Sequence, residues 1–139
     1  MASSLGQEAE LRLTIARDKL AAARALFAQG FYNDTISKAY YAMFYASKGI
    51  LLMLGEDPHR HKGVITFFGQ KIVRVGLTDS RYGHLLADYE RLREQADYKT
   101  EFRATKEQAE NAIRNAVDFV TEAETILRKI QTRGNQNVH

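Results

Sequence analysis

Three observations predict an all-α fold, an antiparallel up-and-down bundle of about five helices. Apolar residues recur every three or four positions through five segments, which is the period of one helical face. Gly30, Gly55 and Gly76 each follow such a segment, where a helix is expected to stop. No stretch alternates apolar and polar residues for long enough to make a strand.

The first helix is expected over residues 7–29, with Leu13, Ala16, Leu20, Ala23 and Phe27 on one face. The second is expected over 34–54, with Ile36, Tyr40, Met43, Ser47, Ile50 and Leu54 in line and Asn33 or Asp34 as its cap. Between 35 and 45 this segment is apolar on almost every side, the pattern of a buried central helix. The third covers 61–75, carrying Val64, Phe68, Ile72 and Val75. The fourth covers 79–97, carrying Tyr82, Leu85, Tyr89, Leu92 and Ala96. The fifth opens on Thr105-Lys106-Glu107-Gln108, a capping box. It then repeats Ala109, Ile113, Ala116, Val120, Ala123, Leu127 and Ile130 in steps of four and three, the narrow stripe of a helix packed along a neighbour or a twin. Short connections make neighbours antiparallel. Residues 55–60 read as an ordered loop, and 131–139 as a polar, disordered tail beyond a single domain of residues 1–130.

Composition removes several classes of function. With 139 residues, 45% hydrophobic and 27% charged, the chain suits one globular domain. Cysteine is absent, which excludes disulfides, thiolate metal sites and cysteine nucleophiles and suits a cytoplasmic location. No apolar run spans a membrane, and residues 1–10 do not read as a signal peptide. A net charge of +3 permits nucleic-acid binding without indicating it. Nothing implies a cofactor: no phosphate-cradling glycine loop, metal-binding helix motif or nucleophile elbow is present. His59 and His61, two apart, diverge on a helix and have no carboxylate nearby in sequence, so no metal site is expected.

Two segments hold the chemistry. The first is Ser37-Lys38-Ala39-Tyr40-Tyr41-Ala42-Met43-Phe44, with His61-Lys62-Gly63 and Phe67-Phe68 following it. The second is Arg93-Glu94-Gln95-Ala96-Asp97-Tyr98. From about Phe31 to Val120 these elements and the terminal amphipathic helix resemble the HEPN family, and within it the stand-alone prokaryotic branch. The resemblance implies a helical bundle that pairs into a homodimer. It also implies a minimal nucleotidyltransferase as partner in a toxin–antitoxin-type system, and RNA or nucleotide as the ligand at a dimer cleft. Many members cut RNA without a metal through an Arg-x(4–6)-His motif, and in some pairs the nucleotidyltransferase attaches AMP to a nearby tyrosine. This chain departs from that motif: the residues five to seven positions after Arg93 are Tyr98, Lys99 and Thr100. Arg133 and His139 have the spacing only in the tail, where it reads as coincidence.

The expected site follows. Arg93 suits a phosphate through its planar fork and shares a helical face with Asp97, four residues on. Tyr98 at the helix end either packs its ring on the bundle or serves phosphate contact, base stacking or nucleotidyl acceptance. Lys38, with Ser37, can meet an anion near the start of the second helix. Tyr41 shares a face with Tyr45 and makes core or dimer contacts, or contributes to ligand binding. His61 is the best-suited histidine for acid–base work, since its ordinary pKa lies near neutrality. The alternatives are a metal-independent endoribonuclease toxin with a variant site (Arg93, Tyr98 and His61) and a non-catalytic protein-interaction subunit.

Overall fold

A computed structural model describes residues 4–136. Among them are five helices and no strand: α1 (Leu5–Ala28), α2 (Tyr32–Met53), α3 (His61–Phe67), α4 (Ser80–Tyr98) and α5 (Lys106–Gln136). Ser4 and Gln7 form a capping box on α1, and Thr105 and Gln108 form the one expected on α5. Asp79 caps α4 by accepting from the Arg81 amide at 2.7 Å. The exits of α1, α2 and α3 are one motif repeated. At Gly55 (φ 85°) the Glu56 amide donates to Leu51 and the Gly55 amide to Leu52, which satisfies carbonyls the helix end would orphan. Gly30 closes α1 in the same way, and Gly76 does so past Val73, where the helical segment that continues α3 ends.

α2 is the central helix: it touches α1, α3, α4 and α5, and fourteen of its 22 residues are buried. Of its expected row, Ile36, Tyr40, Met43, Ser47 and Ile50 lie inside, while Leu54, just past the helix end, is only partly covered. α1 packs against it, and the two backbones come near one another at Ala9 and Gly49. A Cβ on Gly49 would sit 3.1 Å from the Ala9 carbonyl oxygen, a tight contact that a side chain could enter only if the α1 backbone gave by a few tenths of an ångström.

Five expectations need correction. α2 starts at Tyr32 over Phe31, and neither Asn33 nor Asp34 caps it. The Asn33 amide instead reaches the α4–α5 connection, donating to the Ala96 and Phe102 carbonyls (3.3 and 3.1 Å) and accepting from the Ala104 amide (2.8 Å). The third helix is not one regular helix: after Phe67 it widens into a π-helical turn, Phe68–Val73. Its inward row ends on Leu77, and Val75 is exposed. α4 is rotated from its expected face, burying Leu86, Tyr89, Glu90 and Arg93 while Tyr82, Leu85, Leu92 and Ala96 are only partly covered. Glu90 and Arg93 neutralise one another, which allows a polar row to face inward. α5 buries a broader strip than a coiled-coil seam: Ala112, Phe119 and Ile126 join Ala109, Ala116, Val120, Ala123 and Leu127. That strip covers α1 and α2 within the same chain. Finally, α5 runs to Gln136, so the polar stretch after Ile130 begins as helix, with Arg133 favourably placed in the last turn. Residues 137–139, including His139, lie outside the described residues.

Candidate functional site

The polar row of α4 meets the tyrosines of α2 and the first residue of α3 at one place. Glu90 is the hub. Tyr40, with none of its surface exposed, donates its hydroxyl to Glu90 Oε2 at 3.2 Å. His61 Nδ1 lies 3.1 Å from the same oxygen and 2.8 Å from the Tyr40 hydroxyl. Arg93, 4% exposed, donates to Glu90 Oε1 through Nε at 2.9 Å and also through a terminal nitrogen. Its other terminal nitrogen reaches Asp97 Oδ2 at 3.4 Å, and the Ser37 hydroxyl donates to that oxygen at 3.2 Å. A buried carboxylate is tolerated when its acceptor sites are filled and a cation neutralises it, and both conditions hold for Glu90.

Aromatic rings close round these charges. The Arg93 guanidinium lies 5.6 Å from the Tyr40 ring centroid and 5.7 Å from those of Tyr41 and Tyr98. Such cation–π contacts strengthen as water is excluded. The His61 ring stacks tilted on Phe44 at 4.7 Å and meets Tyr41 at 5.7 Å. Tyr98 is the last residue of α4 and is 72% exposed, so one side of the cluster opens to solvent.

The environment sets the charge state of each group. Burial is the largest influence on Arg93 and opposes its charge, but the hydrogen bonds and charge of Glu90 outweigh it and raise its pKa. Burial raises the pKa of Tyr40, and the Glu90 carboxylate adds to the effect, so the phenol stays protonated. Burial likewise raises that of Tyr41. His61 is shifted down, first by burial and then by the Arg93 charge, with Glu90 opposing. At neutral pH its imidazole is therefore uncharged.

Neutral imidazole has two tautomers, and the geometry selects one. A bare Nδ1 lone pair 3.1 Å from a carboxylate oxygen would be repelled by it. The proton therefore sits on Nδ1, shared between Glu90 and the Tyr40 oxygen, and Nε2 carries the lone pair. Among the described residues Nε2 has no hydrogen-bond partner, yet no buried side-chain polar atom lacks one, so Nε2 faces solvent. Around α3 the exposed His59, Arg60 and Lys62 supply further nitrogen groups.

Of the residues singled out from the sequence, Tyr41, His61, Arg93, Asp97 and Tyr98 are brought together. Lys38 is half-buried and makes no ion pair or hydrogen bond with any described residue. Ser37 is engaged by Asp97. Tyr45 packs edge-on against Phe44 at 5.4 Å, away from the charges. His84 is exposed. Sequence reasoning missed Glu90 and the role of Tyr40. The available signal was the spacing of Glu90, Arg93 and Asp97, three and then four apart, which puts all three on one helical face.

A helical bundle with a buried glutamate–arginine pair, three tyrosines and a helix-start histidine defines a compact all-α domain with a polar site at one end. The HEPN domain family matches residues 9–126, and the chain belongs to that family. Its relatives include "Putative toxin MJ0605" of Methanocaldococcus jannaschii, 36% identical over 89% of this chain and 92% of that protein. A "UPF0332 protein" of Archaeoglobus fulgidus is 34% identical over 88% of this chain and 97% of its own length. "Putative toxin MJ0142" of Methanocaldococcus jannaschii is 27% identical over 87% and 82%. No helix among the described residues is long and apolar enough to cross a membrane.

Proposed function

We propose that this chain is the RNA- or nucleotide-binding HEPN member of a toxin–antitoxin-type pair, acting as a homodimer beside a minimal nucleotidyltransferase. The observation that carries the reading is the convergence of Arg93, Asp97, Tyr41, His61 and Tyr98 on one open face around a desolvated Glu90–Arg93 pair. Polar groups that converge on a desolvated pair, with the titration of Arg93, Tyr41 and His61 shifted, suit a functional site. Family membership and relatives named as toxins support the same reading.

The geometry divides the work among these residues. Arg93 is spent on Glu90 and Asp97, which neutralise its charge, so it acts mainly by fixing the tyrosine rings and Asp97 that line the face. Tyr98 offers a free aromatic face, and one base stacked on such a face contributes about 1–3 kcal/mol. Lys38 and the cations flanking His61 suit phosphates. A second copy laid over this open face would turn it into a cleft.

Fluorescence anisotropy with a mixture of single-stranded and structured RNA tests the reading. Tyr98→Ala and Lys38→Glu change surface groups and leave the core intact. Each is expected to weaken binding at least about tenfold, the loss of one stacking or charge contact. Wild-type protein that stays unbound at high concentration, with RNA and with nucleotides, refutes the proposal. Incubation with the partner nucleotidyltransferase and ATP, read by mass spectrometry, tests Tyr98 as acceptor: an AMP adduct lost in Tyr98→Phe is expected.

A further inference from the structure

We propose that the outer face of α3 is a docking groove for an acidic segment of a partner protein. The segment seats a bulky apolar side chain between Pro58 and Phe67 and sets its carboxylates against Arg60 and Lys62. The groove has a volume of about 420 Å³; Pro58, Gly63 and Phe67 form its floor, and His59, Arg60, Lys62 and Thr66 its rim. It lies on the side of α3 turned away from the Glu90 cluster: His61 meets Glu90, while Lys62 and Thr66 are exposed on the far side of the helix. The inference goes beyond the RNA reading and does not depend on it.

The distribution of charge points to an anionic occupant. Residues 58–78 contain Arg60, Lys62, Lys71 and Arg74 and no aspartate or glutamate, a formal +4 in a chain whose net charge is +3. The rest of the molecule is therefore close to neutral, and the positive charge is gathered on this segment. The two carboxylates just before it are committed elsewhere, Glu56 to Lys71 at 3.9 Å and Asp57 to Arg12 at 3.5 Å. No carboxylate lines the groove, and Arg60 and Lys62 form no ion pair or hydrogen bond with any described side chain.

The floor decides which kind of anion fits. Arg60 and Lys62 suit phosphates as well as carboxylates, but a nucleic acid also stacks its bases on exposed aromatic faces, such as that of Tyr98. Phe67 is instead half-buried against the core, and the slot beside it is closed by Pro58 lying on Gly63. A Cβ added to Gly63 would sit 3.3 Å from the Pro58 Cβ, so the missing side chain is what lets the loop before α3 lie this close. An apolar slot with a charged rim is the anatomy of an anchor site in a protein interface. The buried side chain supplies most of the affinity, and the rim sets register and rejects partners of its own sign.

Backbone amide spectra of the nitrogen-15-labelled protein, titrated with a short synthetic peptide of aspartate and glutamate around one phenylalanine, test the proposal. Shifts are expected at residues 58–67 and not at Tyr41 or Tyr98. Serine in place of the peptide's phenylalanine is expected to weaken binding at least about tenfold, the loss of one buried apolar side chain. Lys62→Glu is expected to weaken it at least about fivefold, and added salt to weaken it further. Thr66→Trp fills the groove from its exposed rim and is expected to abolish the shifts. Both substitutions leave the core untouched, and Tyr98→Ala is expected to leave peptide binding unchanged. A peptide that does not bind at millimolar concentration overturns the proposal, as does one that binds equally without its phenylalanine, to Lys62→Glu or to Thr66→Trp. Shifts at 58–67 produced by oligouridylate and not by the peptide also overturn it and give this face to RNA. The RNA reading is judged separately at Tyr98 and Lys38, so either can fail while the other stands.

Discussion

The two long helices that follow the central α2 bury opposite kinds of surface. α5 buries alanines, Phe119, Val120, Ile126 and Leu127, and every one of these contacts is apolar. α4 buries only Leu86 and Tyr89 beside a glutamate and an arginine. Removing apolar surface from water stabilises at about 25 cal/mol per Å² without regard to partner geometry. Desolvating a charge pair stabilises only when its geometry is good, and replacing both members by apolar residues of similar size is often neutral or better. The α5 interface therefore contributes more to holding the bundle together than the α4 interface does. The α4 interface does not add the stability its burial would suggest, and its residues are those a site needs.

Single substitutions break this contrast most sharply. Arg93→Ala strands Glu90, and Glu90→Ala strands the guanidinium; each is expected to lower the unfolding free energy by about 3–5 kcal/mol, read from urea midpoints. A loss below about 1 kcal/mol, the range of exposed ion pairs, means that the pair is effectively solvated. On the apolar side, Leu127→Ala should cost about 2–5 kcal/mol by leaving a cavity. RNA binding per folded molecule should not change in that variant. Asn33→Ala comes next, at about 1–3 kcal/mol, since it orphans backbone groups in the α4–α5 connection. Hydrogen exchange should then accelerate at residues 99–104 and spare α5.

The smallest effect is a pH dependence. His61 has a lowered pKa in the folded protein, so its contribution to stability is present above the unfolded value and is lost as pH falls through the folded one. Thermal midpoints taken downward from neutrality should decline more steeply for wild type than for His61→Gln. Equal slopes place His61 in a solvent-like environment.

The same contrast explains what was legible in the sequence. The α2 row from Ile36 to Ile50 and the capping box at Thr105 could be read because apolar spacing and cap chemistry are local. The exits at Gly30, Gly55 and Gly76 were legible for the same reason. Ala112, Phe119 and Ile126 fell outside the narrow seam because a strip facing two helices is broader than one facing a single neighbour. Glu90 was not legible as a buried residue. Next to Tyr89, a charged residue reads as solvent face, and only Arg93, Tyr40 and His61 make its burial tolerable. Two of those partners lie far away in sequence. Asn33 was misread as a cap for a similar reason: its partners are the Ala96 and Phe102 carbonyls and the Ala104 amide. Arg93, Asp97 and Tyr98 were singled out from their resemblance to a family pattern, and the structure adds that Arg93 lies beneath the surface.

The most direct test is the double variant Glu90→Leu/Arg93→Met, measured for stability and for RNA binding in one preparation. Urea unfolding is expected at or above the wild-type midpoint, recovering what each single loss costs, while RNA binding weakens. A double variant that binds RNA like wild type would contradict the claim that this buried pair is kept for the site.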